Sequence, residues 1–154
     1  MAQTVVAYFS ASGVTARKAA EIAEATGAEL YEIRSASPYT SADLNWQNKK
    51  SRSSVEMDDP ASRPALVEDT PDFSGVSTVF FGFPIWWYVE PRIIDTFLDA
   101  VDLSGVKVVP FATSGSSGIS GAEKRLRELY PAIDWQSGAL LNNKNAASWA
   151  QGVA

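Results

Sequence analysis

Three stretches combine residue types suited to holding a small, flat, oxygen-rich molecule. Ser10-Ala11-Ser12-Gly13-Val14-Thr15 is small and hydroxylic, and lies where an apolar run gives way to helical spacing. A helix start presents unpaired N–H groups and a partial positive charge, so this turn suits a phosphate monoester. Ser10, Ser12 and Thr15 would add hydroxyl donors, and Gly13 allows close backbone approach. Taken alone, the motif is equally an ordinary hydroxyl-capped turn. Pro84-Ile85-Trp86-Trp87-Tyr88 puts three aromatic rings in succession between a strand and a helix. Three such rings cannot all face the core, so at least one is free to stack on a planar ligand, with backbone amides near its edge. Thr113-Ser114-Gly115-Ser116-Ser117-Gly118 is a third run of small residues, able to offer N–H groups to a carbonyl or developing anion, or to act as a flexible linker. The competing phosphate signatures G-x-x-x-x-G-K-[ST] and G-x-G-x-x-G do not occur at the first strand.

Absent residue types narrow the chemistry further. The 154 residues include no Cys and no His. That removes disulfides, thiol nucleophiles, iron–sulfur clusters, histidine metal sites and the Ser-His-Asp triad. Reactive chemistry must come from a bound cofactor, or from hydroxyls, carboxylates and backbone amides. The formal charge of −5 argues against a nucleic-acid or anionic-membrane binder, and suits docking onto a basic partner. The start MAQTVVAYF lacks the basic and long apolar regions of a signal peptide, and the densest apolar run, Val79 to Val89, is too short to span a bilayer. A soluble, cytoplasmic protein made of one domain over residues 1–154 is expected.

The elements that must position these stretches follow from periodicity. Val5 to Phe9, Thr78 to Phe83 and Val106 to Ala112 are continuous apolar runs, the mark of strands covered on both faces. Ala28 to Arg34 is more polar and reads as an edge strand. Ala16, Ala19, Ala20 and Ala23 give the first helix an apolar stripe, with Gly27 as its stop. Pro91 begins a second helix whose Ile93, Ile94, Phe97, Leu98 and Val101 face inward. Ser120 and Glu123 have capping-box spacing ahead of a helix that turns Leu126, Leu129 and Tyr130 inward. A fifth strand is expected within Ile133 to Leu141 and a closing helix over Ala146 to Gly152. Ser37 to Asp72 is long and polar; Asp43 to Arg52 could be helical, and three prolines keep much of the rest irregular.

Alternation of strand and helix describes an α/β, three-layer, doubly wound, five-stranded parallel sheet, and a polar second strand suits the order 2-1-3-4-5. Ligands of such sheets bind at the carboxyl ends of the strands near the switch between strands one and three, so the three stretches should meet at one mouth. Phosphate at the first, a flat ring at the second and amide donors at the third together describe flavin mononucleotide, FMN.

These same residues resemble the flavodoxins, most closely a short branch with a Phe-Pro-Ile-Trp-Trp loop. The likeness covers nearly the whole chain: besides Ser10 to Thr15, it includes Pro38-Tyr39-Thr40, Leu44-Asn45-Trp46, Pro84-Ile85-Trp86-Trp87 and Thr113-Ser114-Gly115. The resemblance implies that Ser10, Ser12, Gly13, Val14 and Thr15 hold the phosphate. It further implies that Pro84, Ile85, Trp86, Trp87 and Tyr88 line the isoalloxazine ring, while Thr113, Ser114, Gly115, Ser117 and Gly118 meet its pyrimidine edge. Val14 departs from the Asn common in the family, at a position where backbone amides carry most of the contact.

Two functions fit a bound flavin. One is an electron carrier between redox proteins, a reductase and an acceptor, with the acidic surface steering the encounter. The other is an FMN-dependent oxidoreductase taking hydride from NAD(P)H to a quinone, whose pocket would be completed in a homodimer. A phosphoacceptor signalling domain shares the strand order, but would need an acidic residue where Ser10 follows Phe9. Ser37 to Asp72, with Trp46, Lys49, Lys50 and Arg52, either borders the flavin or a partner, or covers one sheet face; no site residue is assigned there.

Overall fold

The computed structural model describes residues 3–11, 13–45, 47–59, 61–67, 73–86, 89–113, 118–142 and 145–153. Strands β1 (Gln3–Tyr8), β2 (Glu29–Glu32), β3 (Val76–Pro84), β4 (Lys107–Thr113) and β5 (Asp134–Trp135) form a sheet in the order β2-β1-β3-β4-β5. Every pairing is parallel. The expected doubly wound order is therefore the order observed, with β2 as an exposed edge.

Alternate residues of the apolar runs face opposite layers, as a strand's two-residue period requires. Ala7, Phe81 and Val108 pack with residues of α3 (Arg92–Ala100) and α4 (Ser120–Leu129). Val6, Phe80 and Phe111 pack with α1 (Val14–Thr26) and α5 (Ala146–Val153). Among the described residues, no helix is long and apolar enough to cross a membrane.

The fifth sheet position is filled by two short pieces, β5 and β6 (Ala139–Leu140), both paired with β4. The interruption has a cause in β4. The carbonyls of Val106, Val108 and Ala112 accept N–H groups from this flank, so Pro110 lies in the same register and has no N–H to return. Gly138 passes beside it so closely that a Cβ there would sit 2.3 Å from the Pro110 carbonyl oxygen.

Local side-chain competition corrects three expectations. The buried stripe of α1 is Thr15, Ala19, Ile22 and Ala23; Ala20 is exposed, because the larger Ile22 sets which face meets the sheet. Among the described residues no side chain caps α4: its N-cap is Ile119, and the Glu123 carboxylate accepts instead from the Gly138 N–H at 3.1 Å, while Leu129 is 47% exposed beside the fully buried Leu126. Of the span expected to be helical, residues 43–45 and 47–51 form turns instead. Asn45 and Asn48 side chains accept from Gln47 N and Lys50 N, holding turns, and the helix, α2 (Arg52–Asp58), begins only after Ser51 accepts from Ser54 N.

Candidate functional site

Three connections leave the same edge of the sheet from neighbouring strands β1, β3 and β4. Phe9 N donates to Gly82 O at 3.0 Å and Ile85 N to Thr113 O at 2.8 Å, so pairing continues to the point where the chains diverge. The first and third connections are joined directly: the Thr15 and Thr113 hydroxyls lie 2.8 Å apart and are buried. This bond braces the first turn of α1 against the end of β4, across the intervening β3. The Thr15 hydroxyl is thus engaged with protein, leaving its backbone as its plainest ligand group.

The turn ahead of α1 is shaped by Gly13, whose φ of 94° is the left-handed conformation glycine tolerates best. Gly13 N donates to Ser10 Oγ at 3.0 Å, and Gly13 O accepts from Arg17 N at 3.1 Å. Among the described residues no side chain caps the helix, so its first-turn N–H groups keep the donor capacity of a helix start. Among the described residues beyond its chain neighbours, no heavy atom lies within 4 Å of where a Cβ on Gly13 would stand.

The second connection is pinched at its base. Trp86 N donates to Val89 O at 2.9 Å and Val89 N to Trp86 O at 3.2 Å. The half-buried Trp86 ring packs edge-on against Phe9 and Tyr39, with centroids 5.9 and 5.4 Å away. Of the expected site residues, Ser10, Gly13, Val14, Thr15, Pro84, Ile85, Trp86 and Thr113 stand at these strand ends, and Gly118 is exposed just before α4. Ser12, Trp87, Tyr88, Ser114, Gly115 and Ser117 lie outside the described residues, as does Trp46.

Sequence alone assigns no site role to two groups of residues. Tyr39 donates to Glu56 Oε1 at 2.5 Å, and Arg52 both stands 3.8 Å from the Tyr39 ring centroid and donates to Glu56 Oε2 at 2.8 Å. Arg52 is therefore folded into a wall behind the mouth. A cavity of about 280 Å³ opens beside that wall, bordered by Phe9, Ser10, Ala11, Ser35, Pro38 and Tyr39. The four-residue spacing of Arg52 and Glu56 was the available signal.

Charged residues behind the second connection form the other group. Glu90 and Asp95 are both fully buried, and Arg125 of α4 donates from the same Nη1 to Glu90 Oε2 and, at 2.6 Å, to Asp95 Oδ2. Arg92, also buried, donates to the Glu56, Met57 and Asp59 carbonyls at the end of α2. Burial, then the hydrogen bond and charge of Asp95, push the Glu90 carboxyl up to about 9. In sequence, Glu90 and Asp95 look like the solvated acids of a helix N-terminus; nothing local announces their burial.

Comparisons with known proteins agree with this architecture. The flavodoxin family profile matches residues 3–152. A protein from Bacteroides uniformis designated a flavoprotein is 51% identical, over 99% of this chain and 97% of its own, with a TM-score of 0.94. A counterpart from Bacteroides eggerthii is 47% identical, over 99% and 96%, also at 0.94. A flavoprotein from Lactobacillus acidophilus in complex with FMN is 20% identical over 91% of this chain and 93% of its own, with a TM-score of 0.72, and shares the fold. No curated protein matches significantly. The strand order, the helix start facing the sheet edge and the family match over nearly the full length establish that this chain belongs to the flavodoxin family.

Proposed function

We propose that the chain binds FMN at the carboxyl edge of β1, β3 and β4 and carries electrons between redox proteins. The observation that supports this most is the uncapped start of α1, left-handed at Gly13 and braced through Thr15 to Thr113. Its donor set suits a phosphate: first-turn amides of Val14 and Thr15, with the Ser10 hydroxyl alongside and Ser12 joining them as the family resemblance implies. Pro84 to Tyr88 would face the isoalloxazine, and Thr113 to Gly118 would meet its pyrimidine edge with backbone N–H groups. The flavin, when bound, supplies the redox chemistry. The chain's residues bind it, orient it and set the charge around it. The net charge of −5 favours encounter with basic partner surfaces.

Anaerobic reductive titration after FMN addition tests both parts. Binding should give a flavin absorbance band, and a carrier should be reduced in two separated one-electron stages. Failure to bind FMN overturns the site. Rapid oxidation of reduced nicotinamide with a quinone present, and no partner protein, overturns the carrier in favour of an oxidoreductase.

A further inference from the structure

The buried acids behind the second connection carry one step more. Glu90 follows directly on Val89, the residue that closes the Trp86–Val89 pinch, and precedes the rigid Pro91 at the start of α3. Its side chain reaches across to Arg125 on α4, the helix that follows the third connection. The segments proposed to hold the flavin ring are thereby linked through one guanidinium.

The linkage has an unusual account of hydrogen bonds. Glu90 Oε1 and Asp95 Oδ1 are both fully buried and have no partner counted among the described residues when both groups are taken as acceptors. Two ionised carboxylates on one Arg125 nitrogen, each with an orphaned oxygen, would repel each other in a low-dielectric site. A proton on one carboxyl removes both the orphans and the repulsion, since a carboxyl can donate to a carboxylate.

We propose that Glu90 and Asp95 share one proton in the folded protein, and that this acid pair, gripped by Arg125, positions the 84–89 segment for flavin binding. Glu90 is a positioning residue that acts through the backbone at Val89. The raised Glu90 carboxyl agrees with this arrangement. The remaining charges near the pair are Arg92 on the same helix and Arg63, which approaches Asp95 Oδ2 at 3.9 Å while donating to Asp99 at 2.6 Å. Tyr130 at the end of α4 donates to Asp99 Oδ1 at 2.9 Å. Loss of the shared proton would place a second negative charge at the pair, push Glu90 from Asp95 and loosen the pinch. The inference about flavin rests on the proposed site, whereas the shared proton does not.

The test uses the full chain in two forms. In flavin-free protein, carboxyl ¹³C shifts followed against pH should show Glu90 titrating far above the ordinary glutamate range, near 9. Across the same range, exchange protection of the Trp86 and Val89 amides should fall in the wild type and hold in Glu90→Gln, whose carboxamide keeps a donor for Asp95 and does not titrate. Folding stability should also fall as pH rises from about 4.5 towards about 9, because the native carboxyl holds a proton that the unfolded chain has released, and Glu90→Gln should lack that slope. With FMN added, wild-type affinity should weaken about fivefold or more through the Glu90 midpoint, while Glu90→Gln shows no such step; by linkage, FMN should raise the midpoint itself. Titration of Glu90 below pH ~5, within the ordinary glutamate range, overturns the shared proton. Parallel exchange or affinity profiles in the two proteins overturn the positioning role. Should neither protein bind FMN, the flavin site fails, and the exchange profiles still decide whether the pair holds the segment.

Discussion

The first and second connections stand side by side at the sheet edge and are secured in opposite ways. The Ser10 to Thr15 turn is held by neutral groups: Gly13 in a left-handed conformation, the Ser10 hydroxyl, and the Thr15–Thr113 bond. The second connection runs into Glu90, whose buried carboxylate is tied with Asp95 to Arg125. A turn proposed to keep its amides for an anion gains from uncharged supports, because a nearby carboxylate would compete for those donors. A segment proposed to present rings to a ligand gains from an anchor reaching into the next layer, and a long guanidinium supplies the reach.

Breaking the charged anchor should cost the most. Arg125→Met leaves the buried acids without their cation, and a loss of about 3 kcal/mol is expected in denaturant unfolding at neutral pH. An unchanged midpoint would show that the two connections are secured alike. Gly13→Ala should cost about 1–2 kcal/mol, since φ there is 94°. Calorimetry would read that loss, and FMN affinity should fall with it because the turn reshapes.

The smallest effect sharpens the comparison most. In a double-mutant cycle of Thr15→Val and Thr113→Val, a coupling of about 1 kcal/mol is expected, nearly constant between pH 6 and 9 because hydroxyls do not titrate there. A coupling that follows pH would mean that the charged cluster reaches the first turn as well.

Much of the fold was legible because a covered strand needs a continuous apolar run and an edge strand does not. Val5 to Phe9 and Thr78 to Phe83 therefore declared themselves central, and Ala28 to Arg34 declared itself an edge. Elements set by local side-chain competition were less legible: the spacing of Ser120 and Glu123 suggests a cap, yet Glu123 is drawn to a backbone N–H across a gap in the sheet. Sequence leaves the role of Tyr39, Arg52 and Glu56 open between a flavin or partner border and a cover for one sheet face, because their partners are one another.

By itself, the sequence determined the layered parallel architecture, the edge where the three connections emerge and the exclusion of thiol and imidazole chemistry, since these depend on composition and on periods of two and 3.6 residues. Only the tertiary structure decided that Thr15 meets Thr113, 98 positions away, that Pro110 splits the last strand, and that Glu90, Asp95 and Arg125 converge out of water. Those outcomes depend on which residues from distant elements share one small volume, and there a carboxylate's behaviour is set by its neighbours rather than by its place in the chain.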